Sequence, residues 1–182
     1  RSDVKEVNIP PNIKKIAAYS FTDCKCLKTV NLHMNSELTF VDKFAFAQTP
    51  IESFSFPPKI KSIGEYAFSD CKNLKTVTFT SISDLVSIDK YAFSNSALKK
   101  IVLPSSIVQI GESAFFDCKN MKSIKIPEKS NLISIGKYAF ASSSIKNFSI
   151  PSSVKAIGEG CFYKCKRFKS IEFLPKSELH SI

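Results

Sequence analysis

The sequence predicts a solenoid: one domain spanning residues 1–182, built of stacked turns with a parallel β-sheet along one face. Three observations carry this reading. Self-similarity covers nearly the whole chain, with units beginning at Val4, Leu27, Ile51, Leu74, Leu98, Met121, Ile145 and Phe168. Within each unit, apolar residues return at the same places. Across units, residues of one chemical type fall at one place in turn after turn. The spacings alternate between 23 and 24 residues, so the true period is a pair of turns totalling 47 residues.

In the third unit the apolar places 1, 4, 6, 10, 13 and 18 are Ile51, Phe54, Phe56, Ile60, Ile63 and Phe68. Places 4 and 6 alternate with polar residues, which is the period of a strand with one buried face. The longer turn is expected to insert one residue after this strand, as in Ile126-Pro-Glu-Lys-Ser-Asn-Leu132. No single turn can bury its own apolar face. Stacking gives all turns one continuous core, and that requirement makes the pattern repeat.

Phe21, Phe46, Phe68, Phe93, Phe115, Phe140 and Phe162 share one place in seven consecutive turns. Turns joined by strand pairing lie about 4.8 Å apart, so these rings should stack offset along the core. A second file of rings sits two residues earlier: Tyr19, Phe44, Tyr66, Tyr91 and Tyr138, interrupted by Ser113 and Gly160. Five residues before each Phe is a buried aliphatic place, followed by Gly64, Gly111, Gly136 or Gly158, or by Asp42 or Asp89. Gly and Asp both cap helical turns and both tolerate positive φ. A short helical turn is therefore expected from there to the late Cys. Ala17 departs from the pattern in the first turn.

The segments Ile-Pro-Ser-Ser-Val-Lys-Ala-Ile-Gly (150–158) and Tyr-Ala-Phe-Ser-Asp-Cys-Lys-Asn-Leu-Lys-Thr-Val (66–77) resemble the BspA-type leucine-rich repeats of bacterial and protist surface proteins. The resemblance runs from residue 4 to 182. It implies a leucine-rich-repeat solenoid of right hand, with a parallel β-sheet on the concave face and short strands or helical turns on the convex face. It also implies a place at the cell surface or in secreted form, and a role in attachment and protein binding. It supplies no catalytic residues. The chain begins without Met and stops within a repeat, so it reads as a fragment of a longer protein.

Cys24, Cys71, Cys118 and Cys165 fall 47 residues apart, two turns from one another. At roughly 9–10 Å they can neither bridge nor converge on one metal ion. In alternate turns Thr49, Ser96 or Ser143 stands where the Cys would be. Buried free thiols are the expectation, although unpaired Cys is unusual outside the cell. For that reason an intracellular protein–protein scaffold is retained as the alternative. His33 and His180 are joined by no Ser/His/Asp or Cys/His constellation, and neither a phosphate loop nor metal-ligand spacing occurs. The expectation is a binding scaffold with no cofactor, not an enzyme.

The net charge of +10 directs the search for partners toward anions. Lys43, Glu65, Lys90, Glu112, Lys137 and Glu159 alternate in sign at one place, a pattern suited to fixing register. The strand face, built from places 3 and 5, is small and polar from Glu6 and Asn8 to Ser170 and Glu172, without aromatic anchors. It looks poor as a tight site. Lysine recurs at place 2 as Lys5, Lys28, Lys75, Lys99, Lys122, Lys146 and Lys169, with Glu52 the one exception, and after the Cys of alternate turns as Lys25, Lys72, Lys119 and Lys166, the last followed by Arg167. Both sets are expected on one edge, as a stripe for an acidic glycan or an acidic protein. Nucleic acid is disfavoured because neither stacking aromatics nor an arginine-rich surface accompanies the lysines. No apolar run is long enough to span a membrane.

Overall fold

The computed structural model describes residues 3–182. In chain order its strands are β1 (Glu6–Ile9), β2 (Lys15–Ile16), β3 (Thr29–Leu32), β4 (Phe40–Val41), β5 (Ser53–Phe56), β6 (Ser62–Ile63), β7 (Thr76–Phe79), β8 (Ser87–Ile88), β9 (Lys100–Val102), β10 (Gln109–Ile110), β11 (Ser123–Lys125), β12 (Ser134–Ile135), β13 (Asn147–Ile150), β14 (Ala156–Ile157) and β15 (Ser170–Phe173). All pairings are parallel, as a solenoid requires. Odd-numbered strands form one side of the stack and even-numbered strands the other. Along each odd strand, residues at places 4 and 6 face inward, as Phe54 and Phe56 do, while Ser53 and Ser55 face water.

The two sides pair differently. β2 through β14 form one unbroken seven-stranded sheet, whereas the odd strands pair only as β1–β3, β5–β7, β9–β11 and β13–β15. The unequal turns account for this. The longer turn carries two additional residues between its strands, not one: six steps lead from Leu32 to Leu38, against four from Phe56 to Ile60. Its return is one residue shorter, five steps from Phe46 to Ile51 against six from Phe68 to Leu74. Each odd strand that follows a long turn is reached by this tighter return, and there the ladder breaks. Lys99 N lies 3.5 Å from Lys75 O across the β7/β9 seam, whereas Lys122 N lies 2.9 Å from Lys99 O within a pair.

No helix forms between the even strands and the late Cys. The chain makes successive tight turns there, with two left-handed residues in each. Tyr66 (φ 54°) and Asp70 (φ 57°) represent the two places, and the same pair recurs from Tyr19 and Asp23 to Gly160 and Lys164. A non-glycine residue in this region costs about 1–2 kcal/mol. The strain turns the amide toward the next turn: Tyr66 N donates to Lys90 O at 2.9 Å and Asp70 N to Ser94 O at 2.9 Å. A helix would have kept these donors within its own turn. Gly64, Gly111, Gly136 and Gly158 are not left-handed; they are small because the preceding turn is too close. A Cβ on Gly158 would lie 2.3 Å from Lys137 N.

Phe46, Phe68, Phe93, Phe115 and Phe140 are fully buried and stack at 5.2–5.5 Å between ring centres. The outer file stacks from Tyr19 through Phe44 and Tyr66 to Tyr91. Its two gaps are filled from elsewhere. Phe116, three residues after Ser113, meets Tyr91 edge-on at 6.5 Å, and Tyr163, three residues after Gly160, meets Tyr138 at 6.1 Å.

Candidate binding surface

Four of the six thiols belong to the core. All six cysteines are free, and Cys24, Cys71, Cys118 and Cys161 are buried. Cys71 Sγ donates to Phe46 O at 3.2 Å and lies 3.5 Å from Thr49 Oγ1; Cys118 repeats this with Phe93 O and Ser96 Oγ, and Cys165 with Phe140 O and Ser143 Oγ. Thiol and hydroxyl thus alternate along one file, each turn's sulfur meeting the oxygen of the turn before. Burial pushes the thiols of Cys71 and Cys118 up to about 11 and that of Cys161 to about 12. They are poor nucleophiles and poor metal ligands, since both roles need the thiolate.

The lysines divide into two electrostatic classes. After the ladder Cys, Lys25 pairs with Asp23, Lys72 with Asp70 at 3.0 Å and Lys119 with Asp117 at 3.1 Å. Each of these Asp residues holds the left-handed place before the Cys. In the seventh turn Lys164 takes that place, so Lys166 and Arg167 have no such partner. At place 2, by contrast, none of Lys28, Lys75, Lys99, Lys122, Lys146 and Lys169 is ion-paired among the described residues. All six are exposed. Their backbones are held in line by hydrogen bonds from turn to turn: Lys75 N to Glu52 O, Lys122 N to Lys99 O and Lys169 N to Lys146 O, at 2.7–2.9 Å. Of the alternating charges, Lys90 meets Glu112 at 2.9 Å and Lys137 meets Glu159 at 3.5 Å, each a long turn pairing with the short turn that follows.

The outer face of the odd strands is less uniform than its composition suggests. A groove of about 770 Å³ lies along the seam between β7 and β9. Val77 and Ile101 are its buried floor, Val102 is 55% exposed, and Lys75, Lys99, Lys100 and Lys122 stand at one end. Sequence reasoning passed over it because the opening comes from the broken ladder, and only the single apolar outward residue, Val102, hinted at it. Among the described residues no helix is long and apolar enough to cross a membrane.

Comparison with known proteins agrees with this architecture. The pneumococcal vaccine antigen PcpA superposes with a TM-score of 0.73 at 24% identity, over 92% of this chain and 50% of that one. The leucine-rich repeat protein TpLRR of T. pallidum gives 0.67 at 22% identity, over 97% of this chain and 73% of that one. This chain therefore spans about half the length of the pneumococcal antigen. No curated protein matches it in sequence. Residues 1–86 and 86–182 match the model of the BspA type leucine-rich repeat region, in six copies. The chain belongs to the BspA-type leucine-rich-repeat family.

Proposed function

We propose that this repeat domain is a non-enzymatic binding scaffold of the cell surface, which recognises an extended acidic ligand, a sulfated or sialylated glycan or an acidic protein segment, along its lysine row. The observation that carries the reading is the row itself. Six lysines at place 2 are exposed and free of carboxylate partners among the described residues, interrupted once by Glu52, and backbone hydrogen bonds align them within each strand pair. Like charges about 5 Å apart repel, and no fold requirement places them there. Three of the lysines after the ladder Cys are held by Asp and contribute less. Lys166 and Arg167 extend the row at its end. The family and the similarity to a vaccine antigen support a surface location. The rival reading, an intracellular scaffold, rests on unpaired cysteines; burial of four of the six thiols lessens the need for a reducing compartment.

Heparin affinity tests the proposal. The wild type should be retained at low salt and released by roughly 0.3 M, because lysines that displace condensed counterions give steep salt dependence. Changing Lys99, Lys122, Lys146 and Lys169 to Glu should abolish retention, whereas Lys25, Lys72 and Lys119 to Glu should reduce it only partly. No retention of the wild type at low salt, or equal retention by the folded four-site variant, would refute it.

A further inference from the structure

We infer that the β7/β9 seam is a separate site for a single-chain amphipathic anion, an alkyl chain ending in a carboxylate. The repeat supplies its own controls. Among the eight residues at place 3 only Lys100 is cationic, and among the eight at place 5 only Val102 is apolar. Both departures occur in one turn, on one short strand, and both line one groove. The equivalent seam between β3 and β5 has a smaller cavity of about 440 Å³, bordered by Lys28, Glu52 and Asn31. It is polar and carries a carboxylate of its own. The β7/β9 groove is lined by four lysines and by no Asp or Glu.

Charge and shape together define the ligand. The cations stand where β7, β9 and β11 begin, and Phe79, Leu103, Pro104 and Pro127 stand where these strands end. Polarity therefore runs along the strands: basic first, then apolar, with Thr80, Ser81 and Ser105 at the far rim. From Lys75 to Thr80 the wall extends about 17 Å at roughly 3.3 Å per residue. That length suits an unbranched alkyl chain lying on Val102 and along the open seam above the inward-facing Val77 and Ile101, with its carboxylate among the lysine ammonium groups. A polyanion has no use for the apolar floor, and a neutral hydrocarbon none for four lysines. Three of its four lysines, Lys75, Lys99 and Lys122, also belong to the lysine row, but Lys100 and Val102 are the groove's own, and they carry this site whether or not the row binds a polyanion.

Titration calorimetry with decanoate at pH 7.5 tests the inference. One site should be seen, with acetate giving no heat and 1-decanol binding at least tenfold more weakly than decanoate. Val102→Asp should abolish binding and Lys100→Glu weaken it at least tenfold, while both variants keep the wild-type circular dichroism spectrum and heparin retention. Lys28→Glu, outside the groove, should bind decanoate normally. Absence of decanoate binding, several weak sites per chain, or unchanged binding by folded Val102→Asp would overturn the inference. So would an acidic peptide that shifts the Val102 and Lys100 resonances where decanoate does not, since the occupant would then be polypeptide. A wild type that binds decanoate but is not retained on heparin at low salt would count against the polyanion reading alone.

Discussion

Replacing Phe93 by Ala tests whether the stacked rings carry the stability of the solenoid. The ring is fully buried, and it stacks on Phe68 at 5.3 Å and on Phe115 at 5.5 Å. Its removal loses the transfer energy of the ring and leaves a cavity between two turns that cannot close, because hydrogen bonds on both sides fix their spacing. Such truncations cost about 3–5 kcal/mol. Phe21 at the start of the file provides the comparison: it is only partly buried and stacks on one ring of that file, Phe46 at 5.1 Å. Its truncation should cost about half as much, since stability in a stacked array is a sum over nearest neighbours. The chain has no Trp, so urea unfolding should be followed by circular dichroism, with hydrogen exchange locating the weakened turns. Phe93→Ala should also broaden the transition. A cost below about 1 kcal/mol for Phe93→Ala, or equal costs for the two variants, would refute the reasoning.

Gly158→Ala should destabilise by about 1–3 kcal/mol in thermal unfolding, because the new methyl meets the backbone of the preceding turn; a gain in stability would show that the turns can separate. Phe116→Ala should be destabilising and Ser113→Tyr should partly rescue it, with a coupling of about 0.5–3 kcal/mol in a double-mutant cycle, since one ring replaces the other over Tyr91. Additive effects would mean that the two places are independent. Cys71 and Cys118 should resist a thiol reagent at pH 8 until urea unfolds the chain. Their folded values are raised from 9.0 to about 11, so the unfolded state loses its protons first. Stability from this source is complete below pH 9 and should fall as pH rises from 9 to 11; a rise over that range would contradict burial of the neutral thiols.

The core was legible in the sequence because each of its places recurs in up to eight turns, and a stack must repeat whatever it buries. The Phe file, the outward strand positions and the buried thiols all follow from that constraint. The helical turn did not form, because Gly and Asp have more than one use. At Gly158 the absence of a Cβ serves close approach and not a cap, while the left-handed places went to Tyr and Phe, residues that composition alone would not put there. The broken ladder was hidden for another reason: total unit length changes by one residue, but the change is two residues one way and one the other, and only pairing reveals the division. At the binding surface, the lysine places were legible, but Asp23, Asp70 and Asp117 were not recognised as their neutralising partners. The pair spacing, Asp-Cys-Lys, was there to be read. The seam groove depended on which strands fail to pair, which no single turn encodes.

The thiol–hydroxyl file restricts how such a protein can change in length. The sulfurs of Cys71, Cys118 and Cys165 each meet a hydroxyl in the preceding turn, so the thiols of this file remain two turns apart. Removing a pair of turns preserves this order. Removing a single turn, residues 74–97 for instance, would set Cys118 directly on Cys71, at about the 4.8 Å of strand stacking. That lies within the 4.4–6.8 Å over which two Cα atoms are bridged. It would also place a short turn against a short turn, with no long turn between to supply the wider step on the even side. Length variation in this array therefore obeys a parity rule. Pairs of turns can be gained or lost without redox consequence, whereas loss of one hydroxyl-bearing turn creates an oxidisable pair, detectable as a mass loss of two hydrogens in the deletion variant and not in the parent, and loss of one Cys-bearing turn only sets hydroxyl on hydroxyl.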